Sequence, residues 1–188
     1  MSFLQHPAFQ SLVLPLLLAA MGLVVLRLAG ARWSALGAGL GLLLAMAVWP
    51  GFEWPATSRA QTVPWTTLAG WAVAALATAL QAPGSRAWDR RAGLLATGLL
   101  TLLAVALAVW AALGGSLLLA QLALMVGSVA GVALLWAWRS ACITPMSLLP
   151  LVLAGLTIAY AQWSLAPGAA GAGDTTESDD PYYVPRLK

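Results

Sequence analysis

Residues 92–138 run without one charged side chain: AGLLATGLLTLLAVALAVWAALGGSLLLAQLALMVGSVAGVALLWAW. A helix crosses the hydrocarbon of a bilayer with about 20 apolar residues, so this stretch is too long for a single crossing. Gly114-Gly115 lies in its middle and is the natural point for a tight hairpin between two helices. The rest of the chain is of the same kind. It is 61% hydrophobic and 8% charged, against about 45–50% and 25% in soluble domains. A water-soluble fold of that composition lacks the polar groups to cover its own surface.

Apolar runs between charged or Pro/Gly-rich breaks give six segments, at residues 8–26, 34–49, 65–80, 92–113, 116–136 and 146–165. The expectation is an all-α integral membrane protein: a six-helix transmembrane bundle over residues 1–165, followed by a short flexible tail at 166–188. The second and third segments fall short of the usual span. They must draw on their flanks, sit in a thinned bilayer or lie against other helices. The second is the one expected to be irregular or re-entrant.

Positive charge sets the orientation. Arg27 and Arg32 fall between the first two segments, Arg86, Arg90 and Arg91 between the third and fourth, and Arg139 between the fifth and sixth. Those connections share one side of the membrane. The other side receives Arg59 and, in the tail, Arg186 and Lys188. Short loops rich in Lys and Arg stay in the cytoplasm, so both termini and the loop at 49–65 are expected outside. The start, MSFLQHPAF, has no basic residue ahead of its apolar run, unlike a secretory signal, and the first helix is read as retained. Lys188 is the single lysine among the basic residues, a bias that suggests a GC-rich bacterial genome. The location expected is the bacterial inner membrane, multi-pass, with periplasmic termini.

Small residues four apart mark helix contacts. Gly37, Gly41 and Ala45 form such a ladder on the second helix, Ala104, Ala108 and Ala112 on the fourth, and Ala123, Gly127 and Gly131 on the fifth. Missing side chains let backbones approach and gain dispersion contacts that lipid does not supply. Packing inside the bundle is the favoured reading, ahead of a seam for a partner or a second copy. Pro15 and Pro150 sit within apolar runs, where a lost donor is expected to kink the helix. Thr144-Pro145 reads as an N-cap followed by proline at the first helical position.

The chemistry missing from the spans is informative. No Asp, Glu, Lys, Arg or His lies inside any of the six, whereas pumps and many ion transporters keep ionisable groups at membrane depth. Neutral polar groups remain, and Thr97, Thr101, Gln121, Ser128 and Tyr160, with Thr157 and Gln162 nearby, are the candidates for an intramembrane polar path. Hydroxyls bond their own helix, and an amide such as Gln121 serves first as interhelical glue. His6 and Cys142 are each alone in the chain, which leaves no His pair or thiolate set for a metal. No nucleophile elbow, Walker sequence or dinucleotide-binding glycine fingerprint occurs. No cofactor, no metal and no nucleic-acid partner are expected, and an enzyme is the disfavoured class.

Two segments remain distinctive. The tail passes from APGAAGAG through DTTESDD to PYYVPRLK. The first two parts are linker-like and acidic; a disordered end is the favoured reading, with Tyr182, Tyr183 and Arg186 as a candidate docking peptide. The other is WPGFEWPATSRAQTVPW, residues 49–65. Its tryptophans suit the membrane–water interface, its prolines are expected to stop helices, and Glu53, Arg59 and Gln61 form a candidate outward-facing polar site. The favoured function class is an accessory, scaffold or assembly subunit of a membrane complex. Its partners would be the lipid bilayer and another membrane protein or a second copy. The runner-up is a small permease or exporter for a neutral or weakly polar solute.

Overall fold

The structure, a computed structural model, describes residues 9–54, 56, 58–81, 89–139 and 144–165. His6, Arg86, Cys142 and the tail from residue 166, with Tyr182, Tyr183 and Arg186, lie outside the described residues. Every element among the described residues is helical. Among the described residues five helices are long and apolar enough to cross a membrane: Ser11–Ala29, Arg59–Leu80, Arg90–Leu113, Leu117–Arg139 and Pro145–Leu165. In chain order the α-helices are α1 (Leu14–Leu28), α2 (Ala31–Ser34), α3 (Gly37–Val48), α4 (Thr62–Leu80), α5 (Arg90–Leu113), α6 (Leu117–Arg139) and α7 (Leu149–Leu165).

The second apolar segment, the one expected to be irregular, is the one that holds no helix long enough to span among the described residues. It is divided into α2 and α3 by a step at Ala35-Leu36. The 12 residues of α3 cover about 18 Å, well under the roughly 30 Å of hydrocarbon. Irregular backbone at such depth survives only where neighbours satisfy its polar groups. Backbone bonds continue through the step, with the Leu36 carbonyl accepting from the Leu40 N–H at 3.0 Å, and two indoles brace it: Trp71 on α4 donates to the same carbonyl at 3.2 Å, and Trp136 on α6 donates to the Ser34 side-chain Oγ at 3.2 Å.

The third segment gains the length it lacked from its amino-terminal flank. A 3-10 turn, Arg59–Gln61, leads directly into α4. Ser58 and Gln61 form a reciprocal capping box at its start, which satisfies helix donors that otherwise have no partner. Pro64 therefore does not stop a helix. It stands in the first turn of α4, where its missing N–H removes no helical bond.

Pro15 and Pro150 are placed the same way. Each is in the first turn of its α-helix, after a π-helical turn (Phe9–Val13) and a 3-10 turn (Pro145–Leu148) respectively. In each case the change of helical pitch falls next to the proline, inside a continuous helical run (Ser11–Ala29 and Pro145–Leu165), the local irregularity that a lost donor brings. Thr144 stands at the N-cap, but its side chain makes no cap bond. Its carbonyl accepts from Ser147 Oγ at 2.7 Å instead.

Three helix pairs build the bundle: α5 with α6, α1 with α3, and α4 with α7. Helix α6 lies centrally and touches α1, α3, α5 and α7. The α5–α6 hairpin closes at the glycine pair. Gly115 has φ +79°, and Ser116 and Gly115 donate to the Ala111 and Ala112 carbonyls at 3.0 and 3.1 Å. That double bond with a left-handed residue is a Schellman cap.

The tightest crossing joins α1 to α3. A side chain added at Gly37 or Gly41 would run into the backbone of Gly22, Leu23 or Ala19. Gly127 on α6 faces Ala104, whose Cβ is at ordinary contact distance, while Gly131 has open space beside it. Around the outside, the large apolar side chains point away from the bundle, among them Leu95, Leu99, Leu102 and Leu103 on α5. In water such a surface would drive aggregation. In lipid it is the required surface, and the chain is a membrane-embedded helical protein.

Candidate functional site

The loop from Trp49 to Gln61 is organised by one carboxylate and one amide. Glu53 receives a hydrogen bond from Gln61 Nε2 on its Oε2. The same Gln61 side chain accepts from the Ser58 N–H at 3.0 Å through Oε1, and Ser58 Oγ accepts from the Gln61 N–H at 3.4 Å. Both ends of the amide are thus in use, which fixes its orientation. The Glu53 carbonyl accepts from Trp65 Nε1 at 3.1 Å, tying the loop to the first turn of α4.

An aromatic cluster stands on this frame. Phe52 and Trp54 each meet Trp65 edge to face, with ring centroids 5.3 and 5.5 Å apart. Edge-to-face geometry suits the ring quadrupoles and adds about 0.5–1.5 kcal/mol per pair to the area buried. The outer member, Trp54, remains 82% exposed.

Of the three candidate residues, the structure joins Glu53 to Gln61 and places Arg59 elsewhere. The Arg59 guanidinium lies 6.0 Å from the centroid of the Tyr160 ring on α7. Attraction of a cation to an exposed ring contributes about 0.5–1 kcal/mol. No ion pair joins Glu53 and Arg59 among the described residues.

The five residues of the candidate intramembrane path do not form a connected set. Thr97 donates to the Gly93 carbonyl at 2.7 Å, Thr101 to the Thr97 carbonyl at 2.8 Å and Ser128 to the Met125 carbonyl at 2.9 Å. Each hydroxyl thus bonds its own helix. Gln121 is half-buried on α6, and Tyr160 is exposed under Arg59. One hydroxyl pair does bridge helices: Thr66 on α4 and Thr157 on α7 are 3.0 Å apart.

Two features were harder to find in the sequence. The Ser58-x-x-Gln61 capping box was present as a pattern, but its neighbouring prolines pointed to a loop. Gln162 gave no signal beyond its polarity. It is 4% exposed, its Oε1 has no hydrogen-bond partner among the described residues, and its amide packs against Gly114. That approach depends on how α7 meets the α5–α6 turn, which local sequence does not encode.

Among the described residues no three His, Cys, Asp or Glu side chains come together as a metal site. Glu53 is the single carboxylate of the loop, and as an acceptor held by an amide it orders structure and offers a polar contact. Comparison with protein-family models, curated proteins and solved structures gives no match for this chain.

Proposed function

We propose that this chain is an accessory, scaffold or assembly subunit of a complex in a bacterial inner membrane, with six membrane segments and both termini on the periplasmic side. The observation that carries the reading is the ordered aromatic platform at 52–65. Trp54 meets the Trp65 ring edge to face, Trp65 in turn is bonded to the Glu53 carbonyl, and Trp54 remains open. Aromatic rings with few rotatable bonds make good anchors at protein interfaces, because little freedom is lost on docking. The tail peptide with Tyr182, Tyr183 and Arg186 supplies a second contact on the same side. Six arginines in the three connections of the opposite side support the orientation.

The test is extraction in mild detergent followed by native mass measurement. Comparison runs between the full chain, a Glu53→Ala/Trp54→Ala double variant and a chain lacking residues 174–188. Co-purifying membrane proteins should be lost from the two altered chains while the fold is retained. Recovery of a lone folded monomer in all three cases would sink the subunit reading.

A small permease is the second reading, and one observation favours it. The buried, unpartnered Oε1 of Gln162 is an acceptor that a polar solute can satisfy. On that reading Gln162→Leu abolishes uptake or export while folded protein is unchanged in amount. Unaltered transport would exclude it.

A further inference from the structure

We infer that the end of the bundle opposite the aromatic platform holds anionic phospholipid headgroups, through Arg27, Arg90 and Arg139 gathered around the carboxyl end of α6. Three elements deliver these side chains to one helix terminus. Arg27, at the end of α1, lies 5.9 Å from the centroid of the Trp136 ring. Arg90, at the start of α5, donates to the Trp138 carbonyl. Arg139 is the last residue of α6 itself. All three are exposed, and none forms an ion pair among the described residues.

The surrounding sequence offers little to neutralise them. The connections at this end, residues 27–33, 81–91 and 139–145, contain six arginines and one carboxylate, Asp89. Among the described residues Arg90 has one hydrogen bond and Arg27 one ring contact that position the guanidinium, and each fork carries five N–H donors in all. Planar forks of this kind bind phosphate oxygens two at a time. The carbonyl end of α6 also favours cations there, which holds the cluster in place.

Depth decides the source of the phosphate. Trp136 is half-buried with its indole on Ser34, and Trp138 is exposed on the same last turn. Tryptophan of this kind marks the level of the lipid headgroups. The guanidiniums beside it therefore sit where phosphodiesters of the bilayer are most concentrated, and basic clusters between helices at that level recognise acidic lipids. A protein partner would need carboxylates at the same depth, and lipid phosphate is already present there. This inference is independent of the subunit reading, which rests on the other end of the molecule.

The experiment uses the full chain in neutral detergent, titrated with phosphatidylglycerol or phosphatidylcholine and read as lipid adducts by native mass spectrometry. Phosphatidylglycerol should bind at least tenfold more tightly. Each of Arg27→Gln, Arg90→Gln and Arg139→Gln should weaken it by roughly fivefold, whereas Arg59→Gln at the opposite end should not. Among the described residues Arg139 forms no hydrogen bond or ion pair through its side chain, so its variant is expected to keep the fold and give the clean reading. Inorganic phosphate at millimolar concentration should not compete. Equal retention of the two lipids, an unchanged affinity in Arg139→Gln or full competition by inorganic phosphate would overturn the proposal, the last in favour of a soluble anion.

Discussion

At the arginine end, contacts join elements far apart in the chain: Arg27 to Trp136, Ser34 to Trp136, Leu36 to Trp71 and Arg90 to Trp138. At the loop end, Glu53, Ser58, Gln61 and Trp65 bind one another within a span of twelve residues. From this loop Arg59 reaches Tyr160 on α7. The first arrangement ties α1, α3, α4, α5 and α6 together, so changing it moves the bundle. The second is a local frame that can be altered while the helices stay in place. A molecule built this way keeps its fold at one end and is free to specialise the surface of the other.

Breaking the first end should have the largest effect. Gly37→Leu places a side chain against the backbone of Gly22 and Leu23, where no rotamer relieves the clash. It should destabilise the bundle by about 3 kcal/mol or more, read as loss of extractable folded protein. Wild-type yield and melting would show that the α1–α3 crossing is looser than described.

Next comes Trp136→Ala, which removes the bond to Ser34 and the ring under Arg27. A loss of about 2 kcal/mol is expected, below the 3–5 typical of a fully buried tryptophan, because Trp136 is only half-buried. Thermal unfolding in detergent measures it.

The corresponding change at the loop end is smaller. Gln61→Ala removes the capping box and the bond to Glu53 and should cost about 1 kcal/mol. Smaller still is Trp54→Ala, which removes one edge-to-face contact from an exposed residue and should change stability by under about 1 kcal/mol. If Trp54→Ala proved as damaging as Trp136→Ala, the contrast between the two ends would fail.

Labelling sharpens the same comparison without touching stability. A cysteine placed at Ser58 should react with a membrane-impermeant reagent in intact cells, and Cys142 should react only with a permeant one. The reverse pattern would invert the orientation of the whole bundle.

How far these ends were legible in the sequence follows from how local their causes are. The hairpin at Gly114-Gly115 was plain, because a charge-free run needs a break and glycine supplies the left-handed turn. The apolar character of α5 and α6 was plain for the same reason. The start of α4 was obscured, since proline reads as a stop from sequence and is harmless in a first turn. That the second segment is irregular followed from its shortness, but the place of the step between α2 and α3 did not, because the indoles that brace it come from Trp71 and Trp136, far along the chain. Glu53 and Gln61 were named together in the loop, and the structure joins them. The grouping of Thr97, Thr101, Gln121, Ser128 and Tyr160 assumed that polar residues at similar depth face one another. Each of the three hydroxyls on α5 and α6 instead bonds a carbonyl of its own helix.

The account turns on whether the open tryptophan faces a protein. A photo-reactive amino acid at position 54, with one at position 99 on the outer face of α5 as reference, tests this in native membranes. The account predicts a discrete cross-linked polypeptide from position 54 and lipid adducts alone from position 99. Lipid adducts alone from both positions would contradict it and would make the platform a membrane anchor.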